Sequence, residues 1–207
     1  MKIIIFGATG KTGQKITSLA IEKGHTVSVF VRDPIRLTIS QEKVNIITGD
    51  VFNEEAVTNA LIDHDAVVVA LGAGNDLKKT TVRTDGTTNV IKGMQHHSIN
   101  RLFVISAMGV GDSWNTLSAM NKLFFATLLK SSRADHEAQE STVQSSSLEW
   151  TIIRPSGLVD TPRTGTYDVG ENIPAKTSKI ARADIADFIL KELEQKQFIK
   201  KAVTITN

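Results

Sequence analysis

Short, continuously apolar segments alternate with helical patterns along almost the whole chain. The apolar segments have the length of buried strands, and amphipathic stretches of helical period fill the intervals between them. Continuous apolar strands that are separated by helices predict a parallel sheet with both faces covered. The predicted strands are residues 3–6, 26–31, 44–48, 66–71, 102–105, 150–153 and 202–205.

Helices are predicted between these strands, and the pattern indicates a doubly wound, Rossmann-like α/β fold. Ligands of such sheets bind at the carboxyl ends of the strands. The length indicates that residues 1–207 form a single domain, with a small substrate-side portion from about residue 155 to 207. The predicted helices are residues 11–23, 54–62, 81–97, 116–143 and 182–193.

Composition excludes several classes of function. The net charge of +2 and the lack of a basic cluster argue against a nucleic-acid partner. The chain has no cysteine, so disulfides, thiolate metal sites and a cysteine nucleophile are excluded. No histidine spacing indicates a metal site. The apolar N-terminal run ends at Gly7, too early for a signal peptide or a membrane span, so we expect a cytoplasmic protein without membrane contact, as a monomer or homodimer.

A glycine-rich turn follows the first predicted strand and opens the first helix. Glycines at every third position let the backbone turn sharply, approach a pyrophosphate and pack the helix against the strand. The helix N-terminus adds free amides and a positive dipole end. A nucleoside-triphosphate P-loop is disfavoured because Ile5 stands where that motif needs a glycine. The turn consists of Gly7, Ala8, Thr9, Gly10, Lys11, Thr12 and Gly13.

Two arginines near the end of the second predicted strand favour NADPH over NADH. NAD sites usually carry an acid there, which bonds the adenosine ribose, whereas this chain has Arg32, with Arg36 one turn later. Guanidinium groups match the charge and oxygens of a 2′-phosphate. Asp33 comes one residue late for the acid and can pair with an arginine; the alternative for both arginines is a solvated surface pair.

Two further strand ends supply candidate cofactor contacts. Asp50 can accept a hydrogen bond from the adenine amino group with Val51 against the ring, or Asp50 can cap a helix instead. The segment Leu71, Gly72, Ala73 and Gly74 can run close under the cofactor, or it is a flexible loop.

The chain resembles the atypical short-chain dehydrogenase/reductase group, and within it the biliverdin reductase B / flavin reductase type. NmrA-like NAD(P)-binding proteins are wider neighbours. The matching stretches cover most of the chain in order: residues 5–13, 29–37, 49–51, 65–82, 151–158 and 178–190.

The resemblance implies hydride transfer from NADPH to a flavin, a quinone-like acceptor or a linear tetrapyrrole. It implies that Ser106 lies beside the nicotinamide and that Pro155 and Ser156 close the far side. Two departures are visible: the flavin reductase type has a histidine in place of Ser156, and many related reductases have a lysine in place of His136. The cofactor contacts implied are Thr9, Gly10, Thr12, Arg32, Arg36, Asp50, Val51, Leu71 and Gly72.

The chain lacks the Tyr-x-x-x-Lys pair that most short-chain dehydrogenases use to protonate a carbonyl. Its single tyrosine, Tyr167, has Glu171 four residues later. An acceptor that takes hydride readily and gets its proton from water needs no such tyrosine. Ser106 and His136 are the candidate catalytic residues: Ser106 to orient the nicotinamide amide or an acceptor oxygen, and His136 to donate a proton near neutral pH.

The sequence is compatible with three functions to different degrees. An NADPH-dependent reductase fits the glycine turn, the arginines and the missing tyrosine. A non-catalytic redox sensor that binds NADPH, of the NmrA-like kind, fits the missing tyrosine equally well. A sugar-nucleotide epimerase would need the Tyr/Lys pair and a larger C-terminal domain. Residues 108–125, with Trp114, Phe124 and Phe125, can form an apolar lid over a flat acceptor or belong to helix core or a subunit contact.

Overall fold

The computed structural model describes residues 1–72, 81–117, 130–175 and 177–207, together with Lys122. Ten strands lie within these residues. They are β1 (Lys2–Phe6), β2 (Thr26–Val31), β3 (Asn45–Thr48), β4 (Ala66–Val69), β5 (Arg101–Ile105), β6 (Glu149–Pro155), β7 (Gly157–Val159), β8 (Asp168–Gly170), β9 (Lys179–Ala181) and β10 (Lys201–Thr206).

Eight strands form the main sheet in the order β3-β2-β1-β4-β5-β6-β10-β8. All neighbours pair in parallel except β8, which runs antiparallel to β10. The chain builds outwards from β1 to β3 and then returns to build β4, β5 and β6 on the other side. The order therefore reverses between β1 and β4, which is where sheets of this kind bind ligands.

Helices cover both faces of the sheet: α1 (Lys11–Glu22), α2 (Glu54–Ala60), α3 (Val82–His96), α4 (Lys130–Gln144) and α5 (Arg182–Gln195). Alternate residues of β1 enter two different cores. Ile3 and Ile5 pack with α1 and α5, whereas Ile4 and Phe6 pack with α2, α3 and α4. Burial on both faces explains why β1 is apolar at every position after Lys2.

The structure confirms the predicted fold class, and most predicted elements lie within one or two residues of the observed ones. The long helix predicted to begin at Thr116 is wrong at its start. Thr116 ends a short 3-10 helix, and Leu117 is extended, with a ψ angle of 144°. The helix is described from Lys130 onwards, and the residues just before it, like the predicted lid residues Phe124 and Phe125, lie outside the described part.

The three-residue strands β7, β8 and β9 are absent from the sequence-based prediction. They lie in a polar segment, and β7 pairs with β9 in a separate two-stranded sheet. Strands this short carry too few apolar residues to produce a periodic pattern. None of the described helices is long and apolar enough to cross a membrane.

Candidate functional site

A cavity of about 620 Å³ opens at the carboxyl ends of β1, β2, β4 and β5, at the reversal of strand order. Most of the residues predicted from the sequence contribute to its wall. They are Gly7, Thr9, Gly10, Lys11, Thr12, Gly13, Arg32, Arg36, Val51, Leu71, Gly72, Ser106 and His136.

The glycine-rich turn has the close contacts that its sequence predicts. Gly7 has a φ angle of +88°, and a Cβ there would lie 2.3 Å from the carbonyl oxygen of Ala70. A Cβ on Gly13 would lie 2.3 Å from the carbonyl oxygen of Gly7. Any side chain at these two positions would therefore separate β1 from the end of β4 or lift α1 from the turn.

Helix α1 begins at this turn with free donors. Gly10 is its N-cap, forms no side-chain capping bond, and donates its own amide to the carbonyl of Gly7 at 3.0 Å. The first turn of α1 contains no acidic residue. The amides at this end and the positive end of the helix dipole therefore remain available to an anion in the cavity.

Arg32 and Arg36 are exposed at the edge of the cavity beyond the end of β2. Asp33 does not pair with either of them; its carboxylate accepts the amide of Ile35 at 3.1 Å and caps the turn Pro34–Arg36. Within the described ranges, neither arginine is ion-paired to a carboxylate. Two unpaired guanidinium groups at one edge favour the binding of a doubly charged phosphate.

The other cations of the cavity wall already have carboxylate partners. Asp160 accepts hydrogen bonds from Lys11 Nζ at 2.7 Å and from Arg182 Nη1 at 2.6 Å. Arg83 Nη1 lies 3.2 Å from Asp135 Oδ2. The charge that is free for a ligand is therefore concentrated at the Arg32 end.

Asp50 and Val51 both follow β3, but only Val51 contributes to the cavity wall. Val51 is 6% exposed and contributes to the cavity wall. Asp50 is exposed, is not part of that wall, and accepts the amide of Phe52 at 3.1 Å. It does not cap α2, since Asn53 caps that helix by accepting the amide of Ala56 at 3.0 Å. A contact between Asp50 and adenine stays a prediction.

Ser106 stands directly after β5 and is tied to its neighbours on two sides. Its amide donates to the carbonyl of Ile153 at 2.8 Å, and its hydroxyl donates to Glu140 Oε1 at 2.6 Å. Arg154 donates to both oxygens of Glu140, from Nε at 3.0 Å and from Nη2 at 2.6 Å. Arg154 also pairs with Asp112, which completes a chain of four hydrogen-bonded residues behind the cavity wall.

The two carboxylates of this hydrogen-bonded group favour the charged form of Arg154. Burial acts to lower the pKa of Arg154, but the hydrogen bonds and charges of Glu140 and Asp112 outweigh it and raise that pKa above its ordinary value. Arg154 is therefore a permanent cation beside the Glu140 carboxylate.

His136 lines the cavity and is only 9% exposed. Burial, together with the positive charge of nearby Arg83, lowers the pKa of His136 to about 3. Its Nδ1 atom is enclosed and has no hydrogen-bond partner among the described residues. The imidazole is therefore neutral at pH 7, which argues against the predicted role as a proton donor and leaves it a neutral hydrogen-bonding group.

Pro155 and Ser156 do not belong to the described cavity wall. Both are buried, and the hydroxyl of Ser156 donates to Thr206 Oγ1 at 3.2 Å. Their predicted place beside a cofactor stays a prediction. Ala73 and Gly74, also predicted contacts, lie outside the described residues.

Tyr167 lies away from the cavity and takes no part in its wall. Its hydroxyl donates to Asp187 Oδ2 at 2.9 Å. Burial and this bond to a carboxylate raise the pKa of Tyr167 above its ordinary value. A tyrosine with a strongly held proton outside the cavity cannot replace the missing Tyr-x-x-x-Lys pair.

Sequence reasoning missed Glu140, Arg154, Arg83 and Arg182. One signal pointed to Arg154: a charged residue stands at the end of a buried apolar strand, and a buried charge requires a partner. That partner, Glu140, is 14 residues away on α4, and no local pattern indicates the contact. In the parts of the chain that are described, no group of three or more metal-ligating side chains is placed to hold an ion.

Comparison with known proteins agrees with this geometry. The model of the NAD(P)H-binding family matches residues 7–196. The YwnB protein of Bacillus subtilis (strain 168) is 30% identical over 217 aligned residues, which cover 100% of this chain and 99% of YwnB.

Two solved structures share the fold at low sequence identity. The oxidoreductase YlbE from Lactococcus lactis superposes with a TM-score of 0.85 at 20% identity, covering 100% of this chain and 91% of YlbE. The anaerobilin reductase ChuY from Escherichia coli O157:H7 superposes with a TM-score of 0.83 at 23% identity, covering 100% and 97%. The match over residues 7–196 includes the glycine-rich turn, strands β2 to β9 and the five helices, and the chain therefore belongs to the NAD(P)H-binding family of Rossmann-fold proteins.

Proposed function

We propose that this protein is an NADPH-dependent reductase that delivers hydride to a flavin, a quinone-like acceptor or a linear tetrapyrrole. The observation that carries the proposal is the cavity itself, whose wall combines the N-terminus of α1, Ser106 and two arginines that have no carboxylate partner among the described residues. NADPH, when bound, supplies the hydride. The chain's own residues bind and orient it.

The residues present fit a dinucleotide. A Cβ at Gly7 or Gly13 would clash with backbone, so glycine at both positions lets the turn pack closely, and the first turn of α1 carries no acidic residue that would repel a phosphate. Arg32 and Arg36 lie where the adenosine ribose of a dinucleotide on this fold is expected, and their charge favours the 2′-phosphate of NADPH.

The polar groups of the opposite wall favour an acceptor that needs no protonation by the protein. The hydroxyl of Ser106 donates its hydrogen bond to Glu140, and the ring of His136 is neutral. Tyr167 lies outside the wall. Flavins and quinones accept hydride readily and take the accompanying proton from water, and the family resemblance adds linear tetrapyrroles of the biliverdin type.

Turnover separates this function from that of a redox sensor. The purified protein is mixed with NADPH, and the nicotinamide absorbance is followed after addition of FMN, menadione or biliverdin. We expect acceptor-dependent loss of absorbance that falls at least tenfold at low NADPH in Arg32→Ala, because a charge-assisted phosphate contact is lost. Arg163→Ala, which removes an arginine outside the cavity, serves as the matched control.

Two results would contradict the proposal. Binding of NADPH without turnover of any acceptor would favour the sensor. Turnover that is unchanged by Arg32→Ala would place the phosphate contact elsewhere.

A further inference from the structure

The hydroxyl of Ser106 has a fixed direction. It is 2.6 Å from Glu140 Oε1, and a carboxylate oxygen can only accept. The single proton of Ser106 therefore points away from the cavity towards Glu140. Ser106 is 4% exposed and lines the cavity, so what its oxygen can offer a ligand there is a lone pair.

Glu140 is itself held in place by Arg154. Both of its oxygens accept from the guanidinium group, and the exposed fractions of the two side chains are 4% and 2%. Guanidinium has donors and no acceptors, so the Glu140 oxygens accept from Arg154, and Oε1 accepts from Ser106 as well.

The backbone of Gly111 packs closely against the guanidinium group of Arg154. A Cβ there would lie 2.5 Å from Arg154 Nη2 and 3.4 Å from Glu140 Oε2. The acceptor character of Ser106 is therefore a property of the folded protein before any ligand binds.

We propose that the Ser106 oxygen accepts a hydrogen bond from the carboxamide NH2 of the nicotinamide, and that Glu140 and Arg154 are positioning residues that fix this direction. The inference rests on the proposed function. A dinucleotide whose phosphates lie at the glycine-rich turn and whose 2′-phosphate lies at Arg32 extends its other end towards β4 and β5. On the nicotinamide ring, the carboxamide carries the N–H donors.

An analogue without these donors tests the proposal. In 3-acetylpyridine adenine dinucleotide phosphate a methyl group replaces the NH2 group, while the carbonyl oxygen remains. Dissociation constants of this analogue and of NADP⁺ are measured by calorimetry. We expect the wild-type protein to prefer NADP⁺ by roughly three- to tenfold, as for one net hydrogen bond, and Ser106→Ala to bind both equally.

Ser28→Ala is the matched control. Ser28 is a buried serine in the same sheet that bonds His64 at 2.7 Å and lies outside the cavity wall, so its variant should keep the wild-type preference. The proposal is overturned if the wild-type protein shows no preference or if Ser106→Ala keeps it. It is also overturned if Ser106→Ala weakens both ligands equally, since that would mean a bond to the shared carbonyl oxygen.

Glu140→Gln tests the positioning role. An amide at this position can donate to Ser106 and turn its proton towards the cavity, so the preference for NADP⁺ should disappear although Ser106 is retained. The ratio of the two constants refers to one folded population, so loss of stability does not alter it. An unchanged ratio would refute the positioning role, whereas failure of the wild-type protein to bind either dinucleotide would refute the proposed function itself.

Discussion

His136 is a titratable side chain that the fold keeps neutral at the wall of a cavity. Burial and the neighbouring charge of Arg83 both disfavour its imidazolium form. The charge of Asp135 and a hydrogen bond with Gln139 act in the opposite direction but are outweighed, and the enclosed Nδ1 has no partner within the described parts of the chain. Stability must therefore depend on pH through this residue.

The sign of that dependence follows from the lowered pKa. In the unfolded chain His136 takes up a proton below about pH 6.5, whereas in the folded protein it stays neutral down to about pH 3. The free energy of unfolding should thus fall as the pH is lowered through this window, by roughly 2 kcal/mol between pH 7 and pH 5 from this residue alone. Urea unfolding at the two pH values measures the loss.

Two variants isolate the contribution of His136. In His136→Asn the acid-induced loss should shrink by that amount, because the titrating group is gone. His96→Asn, which removes an exposed histidine, should behave as the wild-type protein does. Equal losses in His136→Asn and wild type would show that folding does not lower the pKa of His136.

Among the helices, α3 has its N-terminus capped by a side chain of its neighbour α4. Its N-cap, Thr81, makes no side-chain capping bond. Instead, Asp135 of α4 accepts the amide of Thr84 at 3.1 Å and the hydroxyl of Thr84 at 2.8 Å. The same carboxylate pairs with Arg83 at 3.2 Å. The Asp135 side chain therefore caps a neighbouring helix and also pairs with Arg83 of the cavity wall.

We expect Asp135→Ala to destabilise the protein by roughly 3 kcal/mol, because it leaves Arg83 largely buried without its carboxylate and uncaps α3. Glu137→Ala, two residues along the same helix, removes only a surface pair with Arg133 and should cost less than about 0.5 kcal/mol. Denaturant unfolding followed by circular dichroism compares the two variants. Similar losses would mean that Asp135 is no more than a surface charge.

Across the whole molecule, the features that could be predicted from the sequence are those that depend on residues close together in the chain. The central strands are apolar on both faces and are readable directly, and the glycine spacing predicted the turn at Gly7–Gly13. Arg32 and Arg36 follow β2 at short range, so their position at the cavity edge was also predictable.

What escaped prediction depends on contacts between distant elements. The bond between Ser106 and Glu140 joins β5 to α4 and depends on how that helix sits on the sheet. The neutrality of His136 has the same origin, since a histidine between two acidic residues gives no indication of burial. The antiparallel strand β8 has three residues and was identifiable only through its pairing with β10.

Binding of NADPH through Arg32 and Arg36 is the proposal on which the others depend. Calorimetric titration with NADPH and with NADH, on the wild-type protein and on the Arg32→Ala/Arg36→Ala variant, tests it most directly. We predict that the wild-type protein binds NADPH at least tenfold more tightly than NADH and that the double variant binds the two cofactors with similar affinity. Equal affinities in the wild-type protein, or a preference for NADPH that survives in the double variant, would show that these arginines do not select NADPH.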